Sequence, residues 1–337
     1  MDLRNLLEEL SASTGIGHIN SARETIGRII SPFAEIKNCG ENGLIATIDA
    51  GKEKTILLDA HLDEVGFTVT NVDSNGFVTV SNCGGIDLRQ LPTREVVIHG
   101  KKDIAGVFIS TPPHLSKKDE TFSDISKIKI DTALGSIAGE SISAGDFVTY
   151  KSNFISLGES RVSGKALDDR AGCAVLLLLA QILKREELGV NVVMLFSDSE
   201  ELGLRGARTA AFGINADEAV AVDVSFGDAP DVPAQKCGKM GEGVMIGFSP
   251  VLSKRVTRTL EEIAEKEGIA FQREVMNSST GTNADVISVS KSGIPCGLVS
   301  IPLRNMHTDC EIVDLKDIEA TAQLLKSYIL KGGSADA

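Results

Sequence analysis

Five short stretches of the sequence carry the carboxylates and imidazoles that metal-assisted hydrolysis uses. Four of them lie at or just beyond the end of an apolar, strand-like run. Open α/β sheets place their ligand-binding residues at that edge, so we expect the stretches to converge in space. The stretches are AHLDEVGF (60–67), KALDDRAG (165–172), SDSEELGLRGA (197–207), AVDVS (221–225) and RNMHTD (304–309).

The first two stretches each allow two interpretations. His61 and Asp63 are two residues apart, so in an extended segment both side chains lie on one face, and Asp63 could orient the His61 ring behind a metal ion. The alternative is a lone, hydrogen-bonded histidine at a strand end. Asp168 and Asp169 precede an apolar helix, and their alternative role is a helix cap with acidic neighbours.

The other three stretches differ in how strongly they indicate function. Glu200 and Glu201 are adjacent carboxylates that repel one another, and a solvated helix start is their other explanation. Asp223 lies in the apolar run EAVAVDVS, where a buried carboxylate needs a cation, a metal or several donors to stay charged. His307 follows the strand-like CGLVSIPLR, but a single histidine there proves little. The other histidines are interpreted as structural or surface residues: His18, His99 and His114.

Taken together, these residues supply the oxygen and nitrogen ligands of a two-metal site without any thiolate. Two zinc-like ions about 3.5 to 4 Å apart need a bridging carboxylate, ligands on each side, and a free carboxylate to take a proton from the bridging water. The available residues are sufficient for all of these roles.

The same five motifs, in order and spacing from Ala60 to Thr308, resemble the tetrahedral, or glutamyl, aminopeptidases. These are cytoplasmic co-catalytic metallopeptidases, and some members have been labelled endoglucanases. The resemblance implies that a β insert at residues 67–162 serves dimerisation and assembly into a hollow dodecamer. It also implies roles for the individual residues: His61 and Asp223 would bind one metal, Glu201 and His307 the other, Asp168 would bridge them, Glu200 would be the general base, and Asp63 would stand behind His61.

Four positions depart from the family pattern. Asn283 stands where the family usually has Asp, and Asn305 stands where Tyr is common. Asp198 and Ser199 replace the usual residues before the glutamate pair. None of these is a proposed ligand. They bear on the substrate pocket, so we do not extend the family's preference for acidic residues to this chain.

The elements that must position these residues form a mixed α/β sheet. Residues 1–66 and 163–337 read as one catalytic domain in which strands and helices alternate, which predicts helices on both faces of the sheet. Ser21 and Glu24 have the spacing of a capping box at the start of a second helix. Residues 67–162 contain many short strand-like runs and few stretches with helical periodicity. This pattern predicts a small inserted β-barrel. Within it, TPPHLSKKDETFSD (111–124) reads as an exposed loop.

Composition excludes several classes of protein. The chain has 337 residues, 42% of them hydrophobic, which is typical of a globular protein with a substantial core. Its net charge of −13 opposes binding to a phosphate backbone, so nucleic acid is not expected as a partner. The apolar run AGCAVLLLLAQIL is shorter than the roughly 20 residues of a membrane span. Six scattered cysteines indicate reduced thiols, and with no export signal at the N-terminus we expect a cytoplasmic protein.

We therefore expect a metal-dependent aminopeptidase that removes N-terminal residues from short peptides, with two divalent ions per subunit. Zinc, cobalt or manganese would suit these ligands. A deacylase with the same metal pair, a glycoside hydrolase and a catalytically silent assembly protein are the rivals. The glycoside hydrolase is disfavoured because sugar sites use aromatic platforms, and this chain has no Trp and two Tyr. The silent protein is disfavoured because clustered buried acids would serve no purpose in it.

Overall fold

The fold is given by a computed structural model that describes residues 1–112, 114–115, 124–230 and 232–334. The strands are β1 (Gly15–Ile16), β2 (Ile19–Asn20), β3 (Glu35–Cys39), β4 (Gly43–Ile48), β5 (Thr55–His61), β6 (Gly66–Val72), β7 (Val78–Cys83), β8 (Glu95–His99), β9 (Asp103–Phe108), β10 (Lys129–Asp131), β11 (Phe147–Tyr150), β12 (Ile155–Leu157), β13 (Arg161–Gly164), β14 (Asn191–Ser197), β15 (Glu218–Phe226), β16 (Val244–Phe248), β17 (Phe271–Val275), β18 (Cys296–Arg304) and β19 (Glu311–Asp314). The helices are α1 (Leu3–Ala12), α2 (Ser21–Ile30), α3 (Leu167–Leu183), α4 (Arg205–Gly213), α5 (Lys254–Glu267), α6 (Ala284–Ile287) and α7 (Leu315–Leu330).

The larger part of the described chain is built on an 11-stranded mixed sheet. Its main path runs β12-β13-β19-β18-β15-β5-β14-β4-β3, and β16 and β17 branch from β18. At its centre β5 pairs in parallel with β14 on one side and with β15 on the other. All three strands are apolar and buried, as expected for strands covered on both faces. Their carboxyl ends therefore meet at one edge of the sheet.

Helices cover both faces of this sheet, which confirms the predicted fold class. Apolar residues of α1, α2, α3, α5 and α7 pack in one core on the face of Ile56, Leu58 and Val222. On the other face, α4 and α6 pack in a second core with Leu57 and Ala221. Alternate residues of one strand serve opposite cores because successive side chains point to opposite faces.

The inserted part is a closed antiparallel barrel of order β10-β7-β6-β11-β8-β9, with its own apolar core. Its strands lie between Gly66 and Tyr150 and, except for Gly66 itself, fall in the segment predicted to be β-rich. Phe67 packs edge-to-face on Phe108 and Tyr150 at its centre. The division of the chain at residues 67 and 162 stays a prediction. Most of the predicted loop 111–124 falls on 113 and 116–123, outside the described residues.

Two local predictions need correction. Helix α2 begins at Ser21 as expected, but the capping box is absent, because the Ser21 hydroxyl is engaged with the backbone of Thr14 instead. Asp168 and Asp169, which were expected to precede helix α3, lie within it, because the helix begins at Leu167, although both residues have non-helical dihedral angles. All six cysteines are free. Among the described residues, no helix combines the length and hydropathy that crossing a bilayer requires.

Candidate metal centre

The carboxyl edge of the central strands collects the predicted site residues. His61 is the last residue of β5 and pairs in register with Ser197, the last residue of β14. The loop after β14 carries Glu200 and Glu201, and Asp223 lies near the end of β15. Two further residues reach the same place from outside these strands. Asp168 comes from the start of α3, and His307 comes from the connection between β18 and β19.

Asp168 lies between the two histidines. One of its carboxylate oxygens, Oδ1, is 3.0 Å from His61 Nε2, and the other, Oδ2, is 3.4 Å from His307 Nε2. His307 Nε2 is also 3.1 Å from Glu201 Oε1, and His61 Nε2 is 3.9 Å from Asp223 Oδ1. The side chains thus form two groups that share Asp168, which is the arrangement that a carboxylate bridging two cations requires.

Three sets of ligand atoms lie close enough to hold a cation. They are His61 with Asp169 and Asp223, His61 with Glu200 and Glu201, and Asp168 with Glu201 and His307. Asp169 belongs to the first set but is not among the predicted ligands. Its Oδ1 accepts the Gly172 N–H at 2.9 Å, whereas its buried Oδ2 has no hydrogen-bond partner. In the sequence, Asp169 beside Asp168 is equally compatible with a helix cap, and nothing in the local pattern distinguishes a cap from a metal ligand.

Asp63 contacts both His61 and the glutamate pair. Its Oδ1 is 3.5 Å from His61 Nδ1, at the outer limit of hydrogen bonding, and that buried ring nitrogen has no other partner. Its two oxygens also accept the backbone N–H groups of Glu200, at 3.0 Å, and Glu201, at 3.2 Å. Asp63 therefore fixes the backbone that carries both glutamates, a contact that the spacing from His61 does not suggest.

The barrel segment helps to hold His307. The His307 Nδ1 atom is 2.5 Å from the carbonyl oxygen of Gly85, just after β7, so a proton on Nδ1 leaves Nε2 free to bind a cation. The Gln90 side chain donates to the His307 carbonyl oxygen at 3.2 Å. His307 itself has φ 62°. The insert therefore contributes directly to the geometry of the centre.

Glu311 is a buried acid at this centre that the sequence interpretation missed. It is 1% exposed at the start of β19. One of its oxygens accepts the backbone N–H of His307 at 2.7 Å, and the other accepts that of Asp168 at 3.0 Å. It thereby joins two chain segments that carry candidate ligands. In sequence it reads as the first residue of an ordinary strand, EIVD, and only the tertiary contacts reveal its position.

Burial and crowding of like charges shift the proton affinities of this cluster. Burial, together with the negative charges of Glu201 and Asp168, raises the pKa of Glu200 to about 7. Burial and the neighbouring Asp169 raise the pKa of Asp223 well above its usual range. Burial disfavours a charged His307 ring, but its hydrogen bonds with Asp168 and Glu201 outweigh that cost and raise its pKa to about 11. The cluster thus holds more negative charge than its own side chains neutralise.

The donor set fits divalent cations. Imidazole nitrogens and carboxylate oxygens of this kind suit zinc, cobalt and manganese. The buried Oδ2 of Asp169 has no hydrogen-bond partner in the protein, so this oxygen is free to accept a cation. A cation in this place would offset the desolvation of the carboxylates.

Three of the four departures from the family pattern make hydrogen bonds around the centre. Asn283 is buried, and its amide nitrogen donates to Asp59 Oδ2 and Ser197 Oγ, both at 2.8 Å. Asn305 is exposed and donates to the Cys310 carbonyl oxygen at 3.1 Å. Asp198 accepts from Asn42 at 3.4 Å. Of the remaining histidines, His18 and His114 are exposed, and His99 is hydrogen-bonded to Asp103 and Thr149 in the barrel.

A family model described as M42 glutamyl aminopeptidase matches residues 42–324. The chain belongs to this family. An M42 protein is a metallopeptidase of the aminopeptidase class, so the resemblance seen in the five motifs is confirmed, and the enzyme class with it. The family also implies co-catalytic metal ions.

Individual relatives align over almost the whole M42 chain. A putative aminopeptidase of Acetivibrio thermocellus is 31% identical, over 98% of this chain and 100% of its own. The Pyrococcus horikoshii TET1 peptidase, which can assemble into a tetrahedron or a large octahedral shell, superimposes with a TM-score of 0.87 at 30% identity, over 98% of this chain and 100% of its own. A Thermotoga maritima structure named endoglucanase gives 0.78 at 27% identity, over 97% of both chains.

Proposed function

We propose that this M42 protein removes single residues from the free N-termini of short peptides, with two divalent cations per subunit. The observation that carries the proposal is the position of Asp168, whose two oxygens face two separate histidines. His61 and Asp223 would hold one cation, Glu201 and His307 the other, and Asp168 would bridge them. Bound there, the cations would polarise the scissile carbonyl and acidify the attacking water.

Glu200 acts as general base in this proposal. It lies next to the candidate ligands, and burial raises its pKa to about 7, close to the working pH that suits a proton shuttle. Glu200 would take a proton from the attacking water and deliver it to the leaving amine. Asp63 supports this role because it accepts the backbone N–H of Glu200 and so fixes the position of the side chain.

The charge of the centre favours a substrate with a free α-amine. Burial and neighbouring carboxylates together raise the pKa of Asp223 and Glu200, and an amino group near these carboxylates would be attracted to them. A blocked N-terminus carries no such group. This is the physical basis for preferring an aminopeptidase over a deacylase with the same ligands.

The glycoside hydrolase alternative finds no support in the side chains, even though one relative is named endoglucanase. The chain has no Trp. Both tyrosines are buried, with Tyr150 2% and Tyr328 0% exposed, so neither can stack on a sugar ring. Nor does the silent assembly protein account for the clustered acids.

We further propose that the barrel segment mediates a dimer-based assembly, up to a tetrahedral dodecamer, in the cytoplasm. The assembly of the Pyrococcus horikoshii relative into a tetrahedron or a large octahedral shell supports this. The barrel also presents exposed apolar side chains, Val107 and Ile137, that contact with a second copy could cover.

Hydrolysis of amino-acid anilides by the chelated protein tests the proposal. The panel should include free and N-acetylated substrates, before and after addition of zinc, cobalt or manganese. We expect metal-restored cleavage of the free-amine substrates alone. Cleavage of acetylated substrates would support the deacylase, and no cleavage with any metal would support the silent assembly protein. Cleavage of a cellulose oligomer that survives chelation would support the glycoside hydrolase.

A further inference from the structure

A cavity of about 340 Å³ is lined by residues from the end of β15, the start of β16 and the end of β17. Buried Ser225 and Met245 and partly buried Glu274 form part of its wall, and exposed Phe226 and Lys236 form another part. Its volume is at the lower end of the range for small-ligand pockets, which begins at about 300 Å³. It is therefore suited to one side chain and not to a large ligand.

The strand register places this cavity next to Asp223. Ser225 is two residues beyond Asp223 in β15, so the two side chains lie on the same face of the sheet. Ser300 of β18 is the register partner of Asp223. The hydroxyl groups of both serines donate to the carboxylate of Glu274, at 2.8 Å from Ser300, so Glu274 reaches across β18 to the strand of the candidate ligand. A substrate whose first residue lies at the centre can direct its side chain into this cavity.

Glu274 lacks a cationic partner among the residues that the structure describes. Its hydrogen-bond partners are the two serine hydroxyls, and burial raises its pKa. Exposed Lys236 also lines the cavity, but it forms no ion pair with Glu274. The neighbouring Arg273 is directed elsewhere: its guanidinium pairs with Glu261 at 2.5 Å and lies over the Phe248 ring. A desolvated carboxylate without a counter-ion is costly, and an incoming cation offsets that cost.

We propose that this cavity receives the side chain of the substrate's N-terminal residue and that Glu274 selects lysine and arginine over neutral and acidic residues. The inference rests on the proposed aminopeptidase function. It goes beyond it by naming a substrate class and the residue that determines it. The two serines orient the carboxylate, and its remaining lone pairs accept the substrate's ammonium or guanidinium.

The test compares lysyl and norleucyl anilides, because norleucine has the lysine side chain without its amino group. For the wild-type protein we expect kcat/KM to be about 10- to 100-fold higher for the lysyl substrate, the range of a charge-assisted hydrogen bond. Glu274→Gln, which keeps an acceptor for the serines, should lower the lysyl-to-norleucyl ratio by a similar factor. Glu242→Gln, which removes an exposed acid outside the cavity, should leave the ratio unchanged.

A measurement on the wild-type protein avoids dependence on the folding of a variant. Lysinamide should inhibit about 10- to 100-fold more tightly than norleucinamide. Preference for norleucyl or glutamyl substrates, or a ratio that Glu274→Gln leaves unaltered, would overturn the inference. If free-amine substrates are still cleaved, the proposed aminopeptidase function holds even though the inference about Glu274 fails. Failure of the inference can therefore be distinguished from failure of the proposed function.

Discussion

Replacing Glu311 with glutamine should weaken metal binding although Glu311 is not a candidate ligand. The carboxylate accepts the backbone N–H groups of His307 and Asp168, which lie far apart in the sequence. A glutamine side chain can accept one of these bonds through its oxygen, but its NH₂ group then faces the other N–H. One hydrogen bond is lost, and one buried donor is left unpaired.

The magnitude follows from that loss. A buried donor left without a partner costs about 1–3 kcal/mol, so the free energy of unfolding should fall by roughly that amount. Removing a group that positions metal ligands typically lowers metal affinity about 10- to 100-fold. Isothermal titration of the chelated protein with zinc measures the affinity, and denaturant unfolding measures the stability.

Glu218→Gln is the matched control. Glu218 is also a fully buried acid, pairs with Lys54 at 3.0 Å and accepts the Ser334 N–H at 3.0 Å, but it lies at the start of β15, away from the carboxyl edge. It should lose comparable stability and keep its metal affinity. The reasoning is refuted if Glu311→Gln binds zinc as the wild type does, or if Glu218→Gln loses as much affinity.

Two further results are expected. Because hydrogen bonds hold the pKa of His307 at about 11 in the metal-free protein, its ring is protonated at pH 7 and must lose that proton to bind a cation. Zinc titrations in buffers of different ionisation enthalpy should therefore show proton release and an affinity that falls with falling pH, and a heat independent of buffer would contradict this. Gly17→Ala, at φ 55° and with its new Cβ 2.0 Å from the Phe147 ring, should cost about 3 kcal/mol or more in denaturant unfolding. Gly158→Ala, at φ 63° in open space, should cost about 1 kcal/mol, and equal costs would refute the packing argument.

The sheet and its functional edge could be predicted because local patterns determine them. The apolar runs that became β5, β14 and β15 are too continuous to face water, and strands buried on both faces pair in parallel at the centre of an α/β sheet. Polar residues directly after such runs must then lie at the carboxyl edge. His61 and Asp223 follow from this reasoning alone.

Other residues of the centre could not be predicted from local patterns. Glu311 is the first residue of a short strand and Glu274 lies within another, and acids are common at such positions in exposed strands. Their roles arise from hydrogen bonds to distant segments. Asp169 is indistinguishable in sequence from a capping neighbour of Asp168. The orientation of His307 depends on a carbonyl oxygen of the inserted barrel, 222 residues away in the chain. Long-range contacts of this kind leave no periodic signal.

Turnover and metal content of Glu200→Gln test the central claim most directly. The substitution keeps the size of the side chain and removes its ability to take a proton. We predict that the variant binds the same number of zinc ions as the wild type, by elemental analysis of the dialysed protein, and hydrolyses free-amine anilides at least about 100-fold more slowly. Glu242→Gln should match the wild type in both measurements. Peptidase activity retained in Glu200→Gln with its metal ions bound would contradict the assignment of Glu200 as general base.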